Sequence, residues 1–235
     1  MVDPTASPLR SFGRRKGRRL RTHAQELMEE LLPKLGVGDW GLGIRGEPSY
    51  LNPQSLMPNP LWLEIGFGGG EHLAHIASLY PDIAMVGCEP YVNGISGLLK
   101  HVETNDTKNI RVYTDDVREL LATMPDACLD RVYILYPDPW PKSRHHKRRL
   151  IQKPLLDALG RVMKPKAELR IATDWDDYAT WILEQLLPHP AFAWTAEKAT
   201  DWTQAWEEWI PTRYEQKARR EGRTSSYFRF IRRPS

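Results

Sequence analysis

Glu64, Glu89, Asp116 (with Asp115 beside it), Asp138 and Asp174 each stand at the end of a short apolar run. One acid in such a place is ordinary, since it can serve as the N-cap of the next helix. Five in succession form a row of carboxylates that is costly to bury without partners. Such a row suits a cationic ligand and the hydroxyls of a ribose. Glu89 follows Glu64 by about 25 residues, one strand–helix–strand step, where a ribose diol would meet its acceptor.

The first of these acids sits in Leu61-Trp62-Leu63-Glu64-Ile65, which runs into Gly66-Phe67-Gly68-Gly69-Gly70-Glu71. Leu73, Ala74, Ile76 and Ala77 then recur at helical spacing, so the order is strand, tight loop, helix. Glycines let the loop turn sharply and let a ligand come close. A dinucleotide fingerprint would place a third glycine at position 71, where this chain has glutamate, and no phosphate-loop lysine follows. A pyrophosphate would meet Glu64 and Glu71. S-adenosylmethionine, with a sulfonium, an ammonium and a ribose but no phosphate, fits better; a purely structural turn is the alternative.

Tyr136-Pro137-Asp138-Pro139-Trp140-Pro141-Lys142 is the most distinctive stretch. Three prolines stiffen a loop that presents an acid, an indole and an ammonium. Trp140 can stack on a base and Asp138 can accept from a base edge, unless the segment is only a turn with a packed tryptophan. Arg144-His145-His146-Lys147-Arg148-Arg149 follows directly and suits phosphates, or else forms a solvated face. Thr212-Arg213-Tyr214-Glu215-Gln216-Lys217, with Arg219, Arg220 and Arg223, is a second mixed cluster. It combines a carboxylate able to read a base with cations able to hold a backbone, or it is a salt-bridged surface helix. His145 and His146 are adjacent, His72 and His75 lack a third ligand, and no metal is expected.

The elements that must carry these residues alternate along the chain. Strands are expected near 61–65, 83–88, 109–113, 131–136 and 168–173, with helices through Leu73 to Ala77 and at about 92–102, 117–121, 153–163 and 177–187. Two weaker strands are expected near 192–194 and 227–231. This pattern predicts an α/β fold: a doubly wound, mostly parallel sheet of about seven strands with helices on both faces, and an antiparallel edge strand at the C-terminal end. Ligands of such sheets bind at the carboxyl ends of the strands, where the acids collect. The 235 residues suit a single domain over 22–235, preceded by a basic arm over 1–21 expected to be disordered alone. A helix is expected from about Thr22 to Leu32, and the Gly- and Pro-rich stretch from Gly36 to Pro60 reads as loop. Cys88 and Cys128 read as free thiols in a reducing compartment. No run approaches the ~20 apolar residues of a membrane helix, and no secretory signal is visible, so a cytoplasmic location is expected.

Leu63-Glu64-Ile65-Gly66-Phe67-Gly68 with Glu89, then Pro137 to Lys142 running into Arg144-His145 and Lys147-Arg148-Arg149, resembles the bacterial tRNA (guanine-N7-)-methyltransferases. Ala172-Thr173-Asp174-Trp175 and Thr212-Arg213-Tyr214-Glu215 look like that family's later motifs, so the resemblance runs from about residue 60 to the C-terminus. It implies transfer of a methyl group from S-adenosylmethionine to N7 of a guanine in tRNA, at position 46 of the variable loop. By position it makes Glu64, Gly66, Gly68, Glu89, Asp116 and Asp138 cofactor-binding residues, with Asp138 also catalytic. Lys142, Asp174, Thr212, Arg213, Tyr214 and Glu215 match substrate-contacting positions. Arg213 and Tyr214 stand where lysine and phenylalanine are common, and Asp115 leaves the placing of Asp116 open by one residue. tRNA is the expected partner, with no membrane and no obligate protein partner. Two alternatives remain: a methyltransferase of the same fold acting on another RNA or protein nitrogen, and an RNA-binding protein without catalysis.

Overall fold

A computed structural model describes residue 13, residues 15–40 and residues 60–234. The remainder of the N-terminal arm, and most of the stretch from Gly36 to Pro60 expected as loop, lie outside the described residues. Seven strands form one sheet: β1 (Leu61–Ile65), β2 (Ala84–Cys88), β3 (Ile110–Tyr113), β4 (Leu129–Leu135), β5 (Met163–Thr173), β6 (Phe192–Trp194) and β7 (Ser226–Arg232). Their order is β3-β2-β1-β4-β5-β7-β6. β1 to β5 pair in parallel, and β7 pairs antiparallel with both β5 and β6. The expected antiparallel strand is thus present, one place in from the edge, because the short β6 closes the sheet outside it.

β1 is buried at every residue, as a central parallel strand covered on both faces must be. On one face pack α4 (Val117–Thr123), α5 (Lys153–Val162) and α6 (Asp176–Leu186), through Leu120, Leu155, Leu159 and Ile182. On the other pack α1 (Thr22–Glu30), α2 (Glu71–Leu79) and α3 (Val92–Asn105), through Leu27, Leu73, Ile76, Ile95 and Leu98. A four-residue α7 (Thr200–Thr203) and α8 (Arg213–Arg220) precede β7. The winding reverses between β1 and β4, which flank each other although β2 and β3 intervene in sequence. That switch point opens a crevice at the carboxyl ends of the strands.

Local chemistry explains how the crevice segments start. Gly70, at φ 81°, turns the chain into α2 in a conformation that a side chain would strain. Asp116 caps α4 by accepting from the Arg118 backbone N–H at 3.0 Å. Thr212 caps α8 by accepting from the Glu215 N–H at 3.3 Å, and Thr-x-x-Glu is the capping-box pattern. No described helix is long and apolar enough to cross a membrane.

Candidate active site

A cavity of about 550 Å³ lies at the carboxyl ends of β1 to β4, a size ordinary for a small-ligand site. Every segment leaving those four strands contributes: Gly66 and Gly68 after β1, Glu89 and Tyr91 after β2, Asp115 and Asp116 after β3, Asp138 and Trp140 after β4. Gly13 from the arm, Arg148 from the basic run and Tyr214 from α8 complete the wall.

The glycine loop is held from below and above. Gly66 and Gly68 have φ of 74° and 55°. The Gly68 amide donates to Glu89 Oε2 at 2.9 Å, and the Tyr91 amide donates to Glu89 Oε1 at 2.9 Å. α3 approaches so closely that a Cβ on Gly94 would stand 2.3 Å from the Gly68 carbonyl oxygen. The Tyr214 ring covers Gly68 from outside, 3.0 Å from where a Cβ would be. Arg213 beside it pairs with Glu71 at 3.8 Å.

The five strand-end acids divide by what already occupies them. Glu64 is 2% exposed and bonds to His72 Nδ1 at 2.7 Å beneath the loop; it is not among the residues lining the cavity. Asp116 lines the cavity but is gripped by Arg118, Nε at 2.8 Å and Nη2 at 2.5 Å. Burial pushes its carboxyl up, yet the Arg118 guanidinium and amide outweigh that, and its pKa falls below the ordinary value. Asp115 accepts from Arg15 at 2.5 Å. Asp174 accepts from Arg223 at 2.8 Å. Glu89 is nearly buried, and burial raises its pKa against the two amides that it accepts from, with Asp138 adding repulsion. Asp138 is exposed and has no hydrogen-bond or ion-pair partner among the described residues, and desolvation by the surrounding cavity wall raises its pKa.

The substrate-contacting positions expected from the resemblance are spread out. Lys142 is exposed on the loop, outside the cavity lining, and its carbonyl accepts from the His145 amide as the chain enters a 3-10 turn over Ser143–Arg148. Tyr214 lines the cavity and Arg213 lies exposed above it. Thr212 and Glu215 face inward. Glu215 is 1% exposed and accepts from Trp209 Nε1 at 2.6 Å, from the Tyr227 hydroxyl at 2.9 Å and from Arg219. Its buried carboxylate roots α8 in the aromatic cluster of Trp206, Trp209 and Tyr227.

Residues 58–227 match a family model described as a putative methyltransferase. The tRNA (guanine-N(7)-)-methyltransferase of Rhodospirillum rubrum is 43% identical over all of this chain and 92% of its own length. That of Jannaschia sp. is 44% identical over 99% of each chain. The chain belongs to this methyltransferase family. A 16S rRNA (adenine(1408)-N(1))-methyltransferase from Catenulisporales acidiphilia, solved with its cosubstrate SAM, has the same fold: TM-score 0.52 at 15% identity, covering 78% of this chain and 92% of that one.

The donor set of this methyltransferase fits S-adenosylmethionine. A Cβ on Gly66 would meet nothing within 4 Å, so the space over the loop is open. Glu89, Asp115, Asp116 and Asp138 line its strand-end side with Tyr91, Trp140 and Tyr214, and Arg118, Lys147, Arg148 and Arg149 line it as well. No group of three or more His, Cys, Asp or Glu among the described residues is arranged to hold a metal. Sequence reasoning did not find two residues. His72 is the buried partner of Glu64, and nothing in its spacing marked it. Arg149 looked like one more cation in a basic run, yet it is 2% exposed.

Proposed function

We propose that the chain transfers a methyl group from S-adenosylmethionine to N7 of a guanine in tRNA, guanine 46 of the variable loop being the target. One observation carries the assignment of the site: Asp138 is the strand-end acid that faces the cavity without a partner, on a loop that also carries Trp140. When bound, S-adenosylmethionine supplies a methyl group activated on a sulfonium. Gly66 and Gly68 let the loop backbone approach it, Glu89 accepts from the ribose, and Asp116, with Asp115 beside it, serves the base end. Glu64 acts from beneath the loop, with His72 as its partner.

Guanine N7 carries a free lone pair, so no base need remove a proton before attack. The work of the chain is to align the nucleophile with the methyl group and to meet the positive charge that develops on the ring. Asp138 meets that charge, or grips the guanine N1 and N2 hydrogens; both uses need the ionised carboxylate. Extracting a guanine from a folded tRNA costs a few kcal/mol, which stacking on Trp140 and phosphate contacts by exposed cations such as Lys142 and Arg213 offset. Asp174, Thr212, Tyr214 and Glu215 shape the surface on which the tRNA lies. The same reading places the protein in the cytoplasm with tRNA as its partner and with no obligate protein partner.

The test is incubation with labelled S-adenosylmethionine and unmodified tRNA, followed by mapping of the methylated nucleoside. N7-methylguanosine in the variable loop supports the reading. Label on another nucleoside transfers the protein to a different RNA nitrogen, and tRNA binding without label would make it a non-catalytic binder.

A further inference from the structure

The loop that carries Asp138 is poorly equipped to hold itself. Pro137, Pro139 and Pro141 have no N–H to donate. Tyr136 and Trp140 adopt φ of 50° and 44°, a left-handed conformation that L side chains resist. Something outside the loop must keep it there. Arg149 is so placed. Its Nε donates to the Pro139 carbonyl oxygen at 2.9 Å, between Asp138 and Trp140. Its Nη2 pairs with Asp177 in the first turn of α6. The guanidinium also lies 5.0 Å from the ring centroid of Tyr178 and 5.1 Å from that of Trp181, both on α6.

We propose that Arg149 is the positioning residue of the reaction: it fixes the direction of Asp138 and Trp140 by tying their loop to α6. The inference rests on the assignment of Asp138 to the active site. Arg149 borders the cavity, but its guanidinium is already engaged by the Pro139 carbonyl and Asp177, and it acts through the loop. A lysine would keep the charge beside Asp177, but a single ammonium cannot bond the carbonyl, pair with the acid and stack flat on two rings at once.

The experiment compares the full-length wild type with Arg149→Lys and Asp177→Asn. Arg149→Lys should lower kcat for tRNA methylation by about tenfold to a hundredfold, the scale expected for a misplacement near 1 Å. The affinity for S-adenosylmethionine and the KM for tRNA should stay within about threefold, because lysine keeps the positive charge at this place in the cavity wall and the exposed cations are unchanged. Backbone order parameters from 15N relaxation at Asp138, Trp140 and Lys142 should fall. Asp177→Asn keeps the bond to Pro139 and should show the same pattern with a smaller loss of kcat. Wild-type kcat in Arg149→Lys would overturn the proposal, as would a loss that follows cofactor affinity and melting temperature in parallel. If the wild type itself fails to methylate tRNA, the proposed function falls instead. The order parameters of the loop then still decide whether Arg149 holds it: unchanged values in Arg149→Lys overturn the proposal.

Discussion

Replacing Gly94 with alanine tests whether the glycine loop is clamped between α3 and the cavity. The added Cβ would stand 2.3 Å from the Gly68 carbonyl oxygen and 3.1 Å from its carbonyl carbon. Both are backbone atoms and cannot rotate away, so loop or helix must retreat by about 1 Å to regain ordinary contact. That retreat pulls the Gly68 amide away from Glu89, whose carboxylate it now meets at 2.9 Å. Overpacking of this kind costs about 1–3 kcal/mol, and weakening a hydrogen bond to a charged group adds about 1 kcal/mol more. The opposing gain in helix propensity is at most about 1 kcal/mol, so the net sign is unfavourable. At about 1.4 kcal/mol per decade, affinity for S-adenosylmethionine should fall roughly tenfold to a hundredfold, read by titration calorimetry. Gly97→Ala, whose Cβ would lie 2.8 Å from the Gly69 carbonyl oxygen, should lose less. Gly36→Ala, with nothing nearer than 3.7 Å, should bind like wild type. Wild-type affinity in Gly94→Ala, together with a raised melting temperature, would refute the clamp.

Asp138→Ala should abolish methyl transfer while tRNA binding stays within a few fold; turnover near wild type would remove Asp138 from the reaction. Desolvation raises the Asp138 and Glu89 pKa values, so turnover should fall on the acid side at a pH above the ordinary carboxylate range. For stability the sign is opposite, because the folded state keeps these protons to higher pH than the unfolded chain does. Their contribution is fully present below the ordinary pKa and is lost as pH rises through the raised one. Asp138→Asn should therefore melt no lower than wild type at neutral pH, checked by thermal melts across pH. Glu215→Ala leaves the Trp209 and Tyr227 donors facing a void and should cost about 3 kcal/mol of stability in a urea titration; unchanged stability with weaker tRNA binding would make the carboxylate a substrate contact. Deleting residues 1–21 removes Arg10, Arg14, Arg15, Lys16, Arg18, Arg19 and Arg21, and should flatten the salt dependence of tRNA binding by about 0.7–0.9 for each phosphate that the arm neutralises. An unchanged slope would take the arm off the tRNA.

The regular elements were legible because their burial follows a short local period. β1, β2 and α2 to α6 fall within a few residues of the expected bounds, since each carries its apolar residues at a strand or helix period, with Asp116 capping α4 and a proline in the first turn of α5. The cavity was legible at its strand ends, because a parallel sheet sets the register of Gly66, Glu89, Asp116 and Asp138 almost by itself. Side-chain partners across distant segments were not. Nothing near Glu64 announces that His72 takes its carboxylate, and nothing in Arg144 to Arg149 marks which cation turns inward. Thr212 caps α8, which the pattern Thr-x-x-Glu could have signalled, although the Glu215 carboxylate turns to Trp209 and Tyr227 instead of closing a capping box. The arm was expected to be disordered alone. In its described part Arg15 accepts from the Val92 amide through its carbonyl, and Gly17 and Arg18 bond Asn93, so it runs beside the N-terminus of α3.

These partners decide how a row of five acids can serve a cationic ligand without repelling itself apart. Carboxylates lined up at one sheet edge would destabilise the fold if each stayed solvent-starved and unpaired. Here Glu64 is held by His72, Asp116 by Arg118, Asp115 by Arg15 and Asp174 by Arg223, while Glu89 takes two backbone amides. The unmet charge is thereby concentrated at Asp138, on a loop that cannot secure itself and is anchored through Arg149. An acid with no partner of its own loses little when a cationic group arrives, whereas a paired acid must first give up its arginine or its amide. On the proposed reading, the attraction for developing positive charge is therefore strongest beside Trp140, and the other acids would bind and orient without competing for it.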